Sequence, residues 1–169
     1  MQTHTQTANA AFTTPAGQRR LLQRLQSALA AYDAIVATNP EAADAGDNCV
    51  WHDNFAYEEN QRRMHSAART VRDLRLLVSR VQTVAVPQAP DRVGLGVRVE
   101  IAHEESGAIE EWLISGIEDG DLGAGRISYT APFARALLGA EEGDTREVVS
   151  DTRRYRVTVL RLAAAGEAG

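Results

Sequence analysis

Apolar residues recur at helical spacing in two stretches of the N-terminal half. The first stretch begins at Thr14-Pro15, a hydroxyl N-cap followed by proline. It ends before Asn39-Pro40, because proline disfavours helix in the residue before it. The apolar stripe between these limits is Leu21, Leu25, Leu29, Tyr32 and Val36. This spacing predicts one amphipathic helix.

The second stretch has a heptad-like seam, and Asp53 or Asn54 is its predicted N-cap. The seam residues are Tyr57, Asn60, Met64, Ala67, Val71, Leu74, Val78 and Val81. Two amphipathic helices that follow each other closely in the chain are expected to pair antiparallel. The N-terminal half therefore predicts a helical hairpin, an antiparallel coiled coil.

Beyond Pro87 and Pro90 the apolar period changes from helical spacing to two. Short runs of alternating residues predict strands around Val97–Ile101, Trp112–Ile114 and Tyr155–Val159, and residues 132–138 predict a short helix. The predicted class is α+β, a helical hairpin followed by a small β domain with one helix. The predicted divisions are a disordered arm at 1–12, the hairpin at 13–86, a linker at 87–92, the β domain at 93–162 and a disordered tail at 163–169.

The amino-acid composition of the chain argues against several classes of function. The chain has 169 residues and a net charge of −5, which speaks against generic nucleic-acid binding. The single Cys49 excludes an intramolecular disulfide and fits a reducing compartment. Residues 1–12 lack the apolar core of a signal peptide, and no apolar run approaches the ~20 residues that span a bilayer. We therefore expect a cytoplasmic protein with no membrane contact.

Charge is distributed unevenly along the hairpin. Residues 25–61, the acidic segment, contain no arginine or lysine but seven carboxylates. Asp47 and Asp53 can serve as turn and N-cap residues, or they can contact a metal or a basic partner. Glu58 and Glu59 lie in an early turn of the second helix, where the helix dipole favours anions. The other three carboxylates of the acidic segment are Asp33 in the first predicted helix and Glu41 and Asp44 in the connection between the two helices.

A motif in the C-terminal half carries a family resemblance. Residues 125–144, the signature segment, resemble the pattern I-S-x-x-S-P-x-x-x-A-L-L-G-x-x-x-G-D of the bacterial GreA/GreB transcription elongation factors. The matching residues, with the glycine before them, are Gly125, Ile127, Ser128, Pro132, Ala136, Leu137, Leu138, Gly139, Gly143 and Asp144. Only Ala131, which stands where the family has serine, departs from it. Thr14-Pro15 and Gly17 resemble the family's opening T-P-x-G, and Gly46-Asp47, Asp53-Asn54 and Tyr57 look like its tip motif G-D-x-x-E-N-x-x-Y.

The resemblance implies an FKBP-like C-terminal domain that docks on RNA polymerase and a coiled coil that enters the polymerase secondary channel. Asp47 and Asp53 would then help to hold the Mg²⁺ of the polymerase, so that the polymerase cuts a backtracked transcript. The protein would have no cofactor of its own, would not be an enzyme by itself, and would contact the nucleic acids of the elongation complex only indirectly. A monomer is expected of a factor that threads a channel. The signature residues themselves are expected to be architectural.

The spacing of the two candidate metal-binding carboxylates departs from the family pattern and leaves two alternative functions open. Asp47 and Asp53 lie six residues apart, whereas the family pattern places the two carboxylates three apart and has glutamate second. The first alternative is therefore a divergent Gre paralogue that inhibits transcription from the same channel without stimulating cleavage. The second is an acidic coiled-coil module that binds another basic partner. Within the same interval, Trp51 either caps the hairpin or contacts a partner, and His52 is a candidate titrating residue.

Overall fold

The computed structural model describes residues 11–38, 55–150 and 153–166. Within these ranges two long helices are followed by a mixed β-sheet with one short helix, which confirms the predicted α+β class. None of the helices in these ranges is long and apolar enough to cross a membrane. The chain divides into two compact units, which we call the globular unit (Met1–Gln18 with Val81–Gly169) and the hairpin unit (Arg19–Arg80).

The two long helices are α1 (Pro15–Ala37) and α2 (Phe55–Arg80). Helix α1 begins as predicted, because the Gly17 N–H donates a hydrogen bond to Thr14 Oγ1 at 3.0 Å. It ends shortly before Pro40, as the restriction on the residue before proline requires. Helix α2 begins directly after the two residues predicted as its N-cap, which lie outside the described ranges.

The buried positions of the hairpin follow the predicted seam except at Leu77, which the prediction did not include, and at the end of the α1 stripe. Leu21 on α1 and Val71, Leu74 and Leu77 on α2 are buried, and the other α2 seam residues within the helix are buried or half-buried. The predicted α1 stripe was wrong at its last position, because Ile35 is half-buried while Val36 is 40% exposed. The helix turns by about 100° per residue, so a step of three from Tyr32 keeps the next apolar side chain on the seam.

Two short strands that the sequence pattern did not predict flank the hairpin. Strand β1 (Ala11–Thr13) pairs in parallel with β2 (Val81–Thr83). Strand β1 precedes α1 and β2 follows α2 in the chain, so the strand pair joins the segments that enter and leave the two helices. The predicted disordered arm is therefore wrong at residues 11 and 12, and the predicted helical seam is wrong at Val81, because these residues form strands. The remaining residues of the predicted arm, 1–10, lie outside the described ranges.

The globular unit is built on a five-stranded sheet in the order β5-β4-β3-β7-β6. All neighbours are antiparallel except β4 and β5, which are parallel. Ala163 and Ala164, assigned to the tail, are the end of the last strand. The strands are β3 (Val97–His103), β4 (Ile109–Ser115), β5 (Arg126–Ser128), β6 (Thr145–Val149) and β7 (Arg154–Ala164), and the short helix is α3 (Pro132–Leu137).

The two faces of this sheet differ in chemistry as the period of two predicts. Apolar residues of β3, β4 and β7 point to one face, where Ala134 and Leu137 of α3 pack against them. The other face carries cross-strand ion pairs such as Arg98 to Glu111 at 3.0 Å and Arg161 to Glu100 at 3.2 Å. The core is therefore a single layer between sheet and helix, and the ion-paired face is left to solvent.

Candidate functional site

The signature segment winds through the globular unit and forms its turns. Ser128 Oγ lies 2.9 Å from Thr130 Oγ1, and the Ala131 N–H donates to the Ser128 carbonyl at 2.9 Å. This turn delivers Pro132 to the first position of α3. Ala131 is the N-cap of α3 and makes no side-chain hydrogen bond there, so the one departure from the family pattern removes a cap that serine would supply.

The three signature glycines occupy backbone conformations that other residues rarely adopt. Gly125 has φ of 64°, Gly139 has φ of 77° and Gly143 has φ of 88°. Asp144 closes the turn at Gly143, because its Oδ2 accepts from the Glu141 N–H at 3.1 Å and from Arg146 Nη2 at 2.9 Å. These contacts fix the backbone of the turn between α3 and β6.

Leu138 differs from the rest of the signature segment. Leu137 beside it is fully buried, and Ile127 and Ala136 pack against the core, but Leu138 is 39% exposed. The core therefore does not account for a large apolar side chain at position 138. A residue of this kind is a candidate for contact with a partner.

Leu138 borders an open apolar groove of about 250 Å³ in the globular unit. The lining residues, which we call the apolar groove, are Phe12, Val84, Leu95, Tyr129 and Leu138. Tyr129 is fixed in place because its hydroxyl accepts a hydrogen bond from the Phe12 N–H at 3.2 Å, and the two rings lie 6.5 Å apart. The groove can accept an apolar side chain of a partner. Sequence reasoning missed it because β1, which supplies Phe12, was not predicted.

A second cluster lies where β3 ends and β4 begins. Glu110 Oε2 accepts a hydrogen bond from Trp112 Nε1 at 3.0 Å and lies 3.3 Å from His103 Nε2. The Trp112 hydrogen bond is the largest cause of a lowered pKa of Glu110, and His103 adds to it while burial opposes it. His103 stacks on Tyr155 at 5.5 Å, and the Arg153 guanidinium lies 4.6 Å from the centre of the same ring. Within the described residues, Glu110 is satisfied by Trp112, whereas the buried Nε2 of His103 has no hydrogen-bond partner.

The carboxylates predicted to act on a metal, Asp47 and Asp53, lie outside the described residues together with Trp51 and His52. Their roles remain predictions. In the described part of the chain no group of three or more His, Cys, Asp or Glu could hold a metal ion. The first turns of α2 are the described residues that follow them in the sequence. There Tyr57 is half-buried, and Asn60 is 9% exposed on the seam.

The charges in these first turns are partly paired. Glu59 Oε1 lies 3.1 Å from Arg63 Nε, and its Oε2 lies 3.7 Å from Arg62 Nε. Glu58 is exposed and makes no ion pair with a described residue. The first turns of α2 therefore present an exposed carboxylate at Glu58 and an ion-paired carboxylate at Glu59.

Comparison with known proteins places these features in a family. The family model "Transcription elongation factor, GreA/GreB, C-term" matches residues 87–163. Transcription elongation factor GreA of Rhodospirillum rubrum is 31% identical over 154 residues, covering 88% of this chain and 96% of the relative. GreA of Nitratidesulfovibrio vulgaris is 29% identical over 152 residues, covering 89% and 92%. A solved structure of the transcription factor Gfh1 is 22% identical, and the match covers 95% of this chain and 100% of the Gfh1 chain at a TM-score of 0.43.

Proposed function

This chain belongs to the GreA/GreB family of transcription elongation factors, and from that premise we propose that it binds RNA polymerase and promotes cleavage of backtracked transcripts. It acts as an accessory factor, since the polymerase supplies the catalytic metal and the transcript. The observation that carries the proposal is the match to GreA of Rhodospirillum rubrum over 96% of that relative's length, and the apolar groove beside the signature segment supports it.

Docking is assigned to the apolar groove. Two of its residues, Tyr129 and Leu138, belong to the signature segment: Tyr129 is half-buried against the core of the globular unit, and Leu138 is 39% exposed. A groove lined by aromatic and aliphatic side chains gains free energy by burying an apolar side chain, at about 25 cal/mol per Å². We assign an apolar side chain on the polymerase surface as its occupant.

Docking is tested by comparing two leucines of equal exposure. Leu138→Asp is expected to weaken binding to a bacterial RNA polymerase tenfold or more, because it places a charge in the groove. Leu160→Asp is the matched control, since Leu160 is 41% exposed on β7, does not line the groove and is expected to leave binding unchanged. Binding is measured by titrating labelled protein with core polymerase, and circular dichroism checks that both variants fold. Equal affinities of the two variants would remove the groove from the docking surface.

The chemistry is assigned to Asp47 and Asp53. Mg²⁺ prefers hard oxygen ligands and keeps several waters, so one or two added carboxylates suit it. Mg²⁺ in such a site stabilises bound hydroxide and the charge of a phosphodiester transition state. The acidic segment supports the proposal because it has no arginine or lysine that would pair with these carboxylates or repel the metal.

The cleavage proposal is tested on halted elongation complexes. The wild-type protein is expected to shorten the transcript only when polymerase is present and to leave naked RNA intact. Asp47→Ala combined with Asp53→Ala is expected to abolish cleavage while polymerase binding persists. Full cleavage activity in that double variant would eliminate the proposed role of the two carboxylates.

The wide carboxylate spacing favours a second candidate function. Asp47 and Asp53 stand six residues apart, where the family pattern has three, and metal-assisted catalysis is sensitive to displacements of about 1 Å. A factor that occupies the channel without completing the metal site would inhibit transcription. A run-off assay on a template without pauses separates the candidates, because an inhibitor lowers the yield even when no complex backtracks. Failure to bind polymerase at all would favour the acidic module for another basic partner.

A further inference from the structure

Strand β1 has one strand neighbour within the described residues, its parallel partner β2. The backbone groups of successive strand residues point to opposite sides of the strand. The Thr13 carbonyl accepts from the Val84 N–H, directly after β2, at 2.8 Å. Phe12 bonds elsewhere: its carbonyl accepts from the Ile117 N–H at 2.9 Å, and its N–H donates to Tyr129 Oη at 3.2 Å. A side-chain hydroxyl therefore supplies an acceptor that a third strand would otherwise provide.

Tyr129 is the better anchored partner of this hydrogen bond. Its ring packs against the core of the globular unit, and its N–H donates to the Ser115 carbonyl at 2.9 Å. Phe12 is half-buried in a strand of only three residues. Two short paired strands are marginally stable by themselves, so each further bond to β1 matters to its position. The Tyr129 hydroxyl thus ties β1 to a part of the unit that the core already holds.

The same bond joins two residues that line the apolar groove. The rings of Phe12 and Tyr129 lie 6.5 Å apart and are tilted by 58°. The other lining side chains, Val84, Leu95 and Leu138, are aliphatic and cannot form hydrogen bonds. The place of the Phe12 ring in the groove therefore depends on a directional contact. A groove that is ordered before a partner arrives loses less conformational entropy on binding.

We propose that Tyr129 is a positioning residue for docking: its hydroxyl holds Phe12 in place, so that the apolar groove is formed before the polymerase binds. This inference rests on the proposed function, because it assumes that the groove receives an apolar side chain of the polymerase. Tyr129→Phe tests it directly, since phenylalanine keeps the ring and removes the acceptor. The Phe12 N–H then loses its partner in a partly buried position.

Binding is compared between Tyr129→Phe and the matched control Tyr155→Phe. Tyr155 is also half-buried against the core of the globular unit, and it does not line the groove. Tyr129→Phe is expected to weaken binding to bacterial core RNA polymerase about three- to tenfold, because a smaller fraction of the protein has the formed groove. Tyr155→Phe should bind as the wild type does. Equal affinities of the two variants would overturn the proposal.

A double-mutant cycle with Phe12→Ala separates positioning from direct contact with the polymerase. In the Phe12→Ala background, Tyr129→Phe is expected to cost less than about twofold in affinity, because no ring remains to be positioned. A hydroxyl that itself contacts the polymerase would cost the same in both backgrounds, and that result would overturn the positioning role. Circular dichroism of each variant checks the fold.

Native-state hydrogen exchange of the free protein reports on β1 itself. The Phe12 amide is expected to exchange about three- to tenfold faster in Tyr129→Phe than in the wild type, because it has lost its acceptor. In Tyr155→Phe the Phe12 amide should keep the wild-type rate. An unchanged rate in Tyr129→Phe would show that the hydroxyl does not hold β1. This measurement decides the proposal even where Phe12→Ala does not fold.

Leu138→Asp separates this inference from the function on which it rests. If Leu138→Asp and Leu160→Asp bind polymerase equally, the groove is not the docking surface, and the proposed docking and the role of Tyr129 fail together. If Leu138→Asp weakens binding while Tyr129→Phe matches Tyr155→Phe, docking in the groove stands and the positioning role of Tyr129 fails alone.

Discussion

Replacing Gly116 by alanine is expected to destabilise the globular unit by overpacking a backbone contact. Gly116 follows β4 directly and is buried against β1. A Cβ at this position would touch Thr13 Oγ1 and would lie 2.7 Å from Thr13 Cβ and 2.8 Å from Thr13 Cα. One of these is a backbone atom, so no side-chain rotation can relieve the contact.

Strand β1 must move for the added methyl group to fit. That movement is opposed by two backbone hydrogen bonds, from Ile117 N–H to the Phe12 carbonyl at 2.9 Å and from Val84 N–H to the Thr13 carbonyl at 2.8 Å. Overpacking costs ~1–3 kcal/mol, and a weakened hydrogen bond adds ~0.5–1.5 kcal/mol. The lower entropy of the unfolded alanine chain offsets ~0.4–1 kcal/mol. We therefore expect a loss of about 1–3 kcal/mol in the free energy of unfolding.

The assay is urea denaturation of purified protein, with Gly94→Ala as the matched control. A Cβ at Gly94 would meet no atom within 4 Å, and its φ lies outside the positive range, so this substitution should be neutral or slightly stabilising. The difference between the two variants isolates the contact with Thr13. If Gly116→Ala unfolds within about 0.5 kcal/mol of Gly94→Ala, the close approach of β1 to the β4 end is not tight in solution.

Three further predictions concern the globular unit. Ala131→Ser should raise the unfolding free energy by about 0.5–2 kcal/mol in urea denaturation, because it restores an N-cap to α3; an unchanged midpoint would contradict this. Ile101→Ala should lower it by about 2–5 kcal/mol, because Ile101 is fully buried and its removal leaves a cavity; a smaller loss than that of Ile109→Ala, whose side chain is 61% exposed, would contradict it. Glu110→Gln tests a pH effect: the folded pKa of Glu110 is lowered, so its stabilisation is present above the unfolded pKa and is lost as the pH falls through the folded value. The wild-type advantage over this variant should therefore shrink in thermal melts taken from about pH 5 down to pH 3, and an advantage that grows on acidification would refute the assignment.

Local pattern determined the helices and the larger strands. A hydroxyl N-cap and a proline at the first helical position depend only on adjacent residues, so Thr14 and Pro15 were sufficient to place the start of α1. The alternation around Val99 and Val157 identified buried strands, because side-chain direction in a strand depends only on parity. The signature segment identified the family because its turns need particular residues at fixed offsets, which is also a local property of the sequence.

Contacts between residues far apart in the chain decided the features that local patterns do not determine. Strands β1 and β2 have three residues each and lie far apart in the chain, so no local period marks them, and only their pairing makes them strands. Strand β1 carries Phe12, which bonds to Tyr129, and both residues line the apolar groove together with Val84, which follows β2. Likewise, nothing in the sequence separates Leu137 from Leu138, but the end of α3 buries the first and leaves the second at the surface. The sequence alone determined the class, the family and the acidic segment, whereas long-range packing decided which signature residue remains available to a partner.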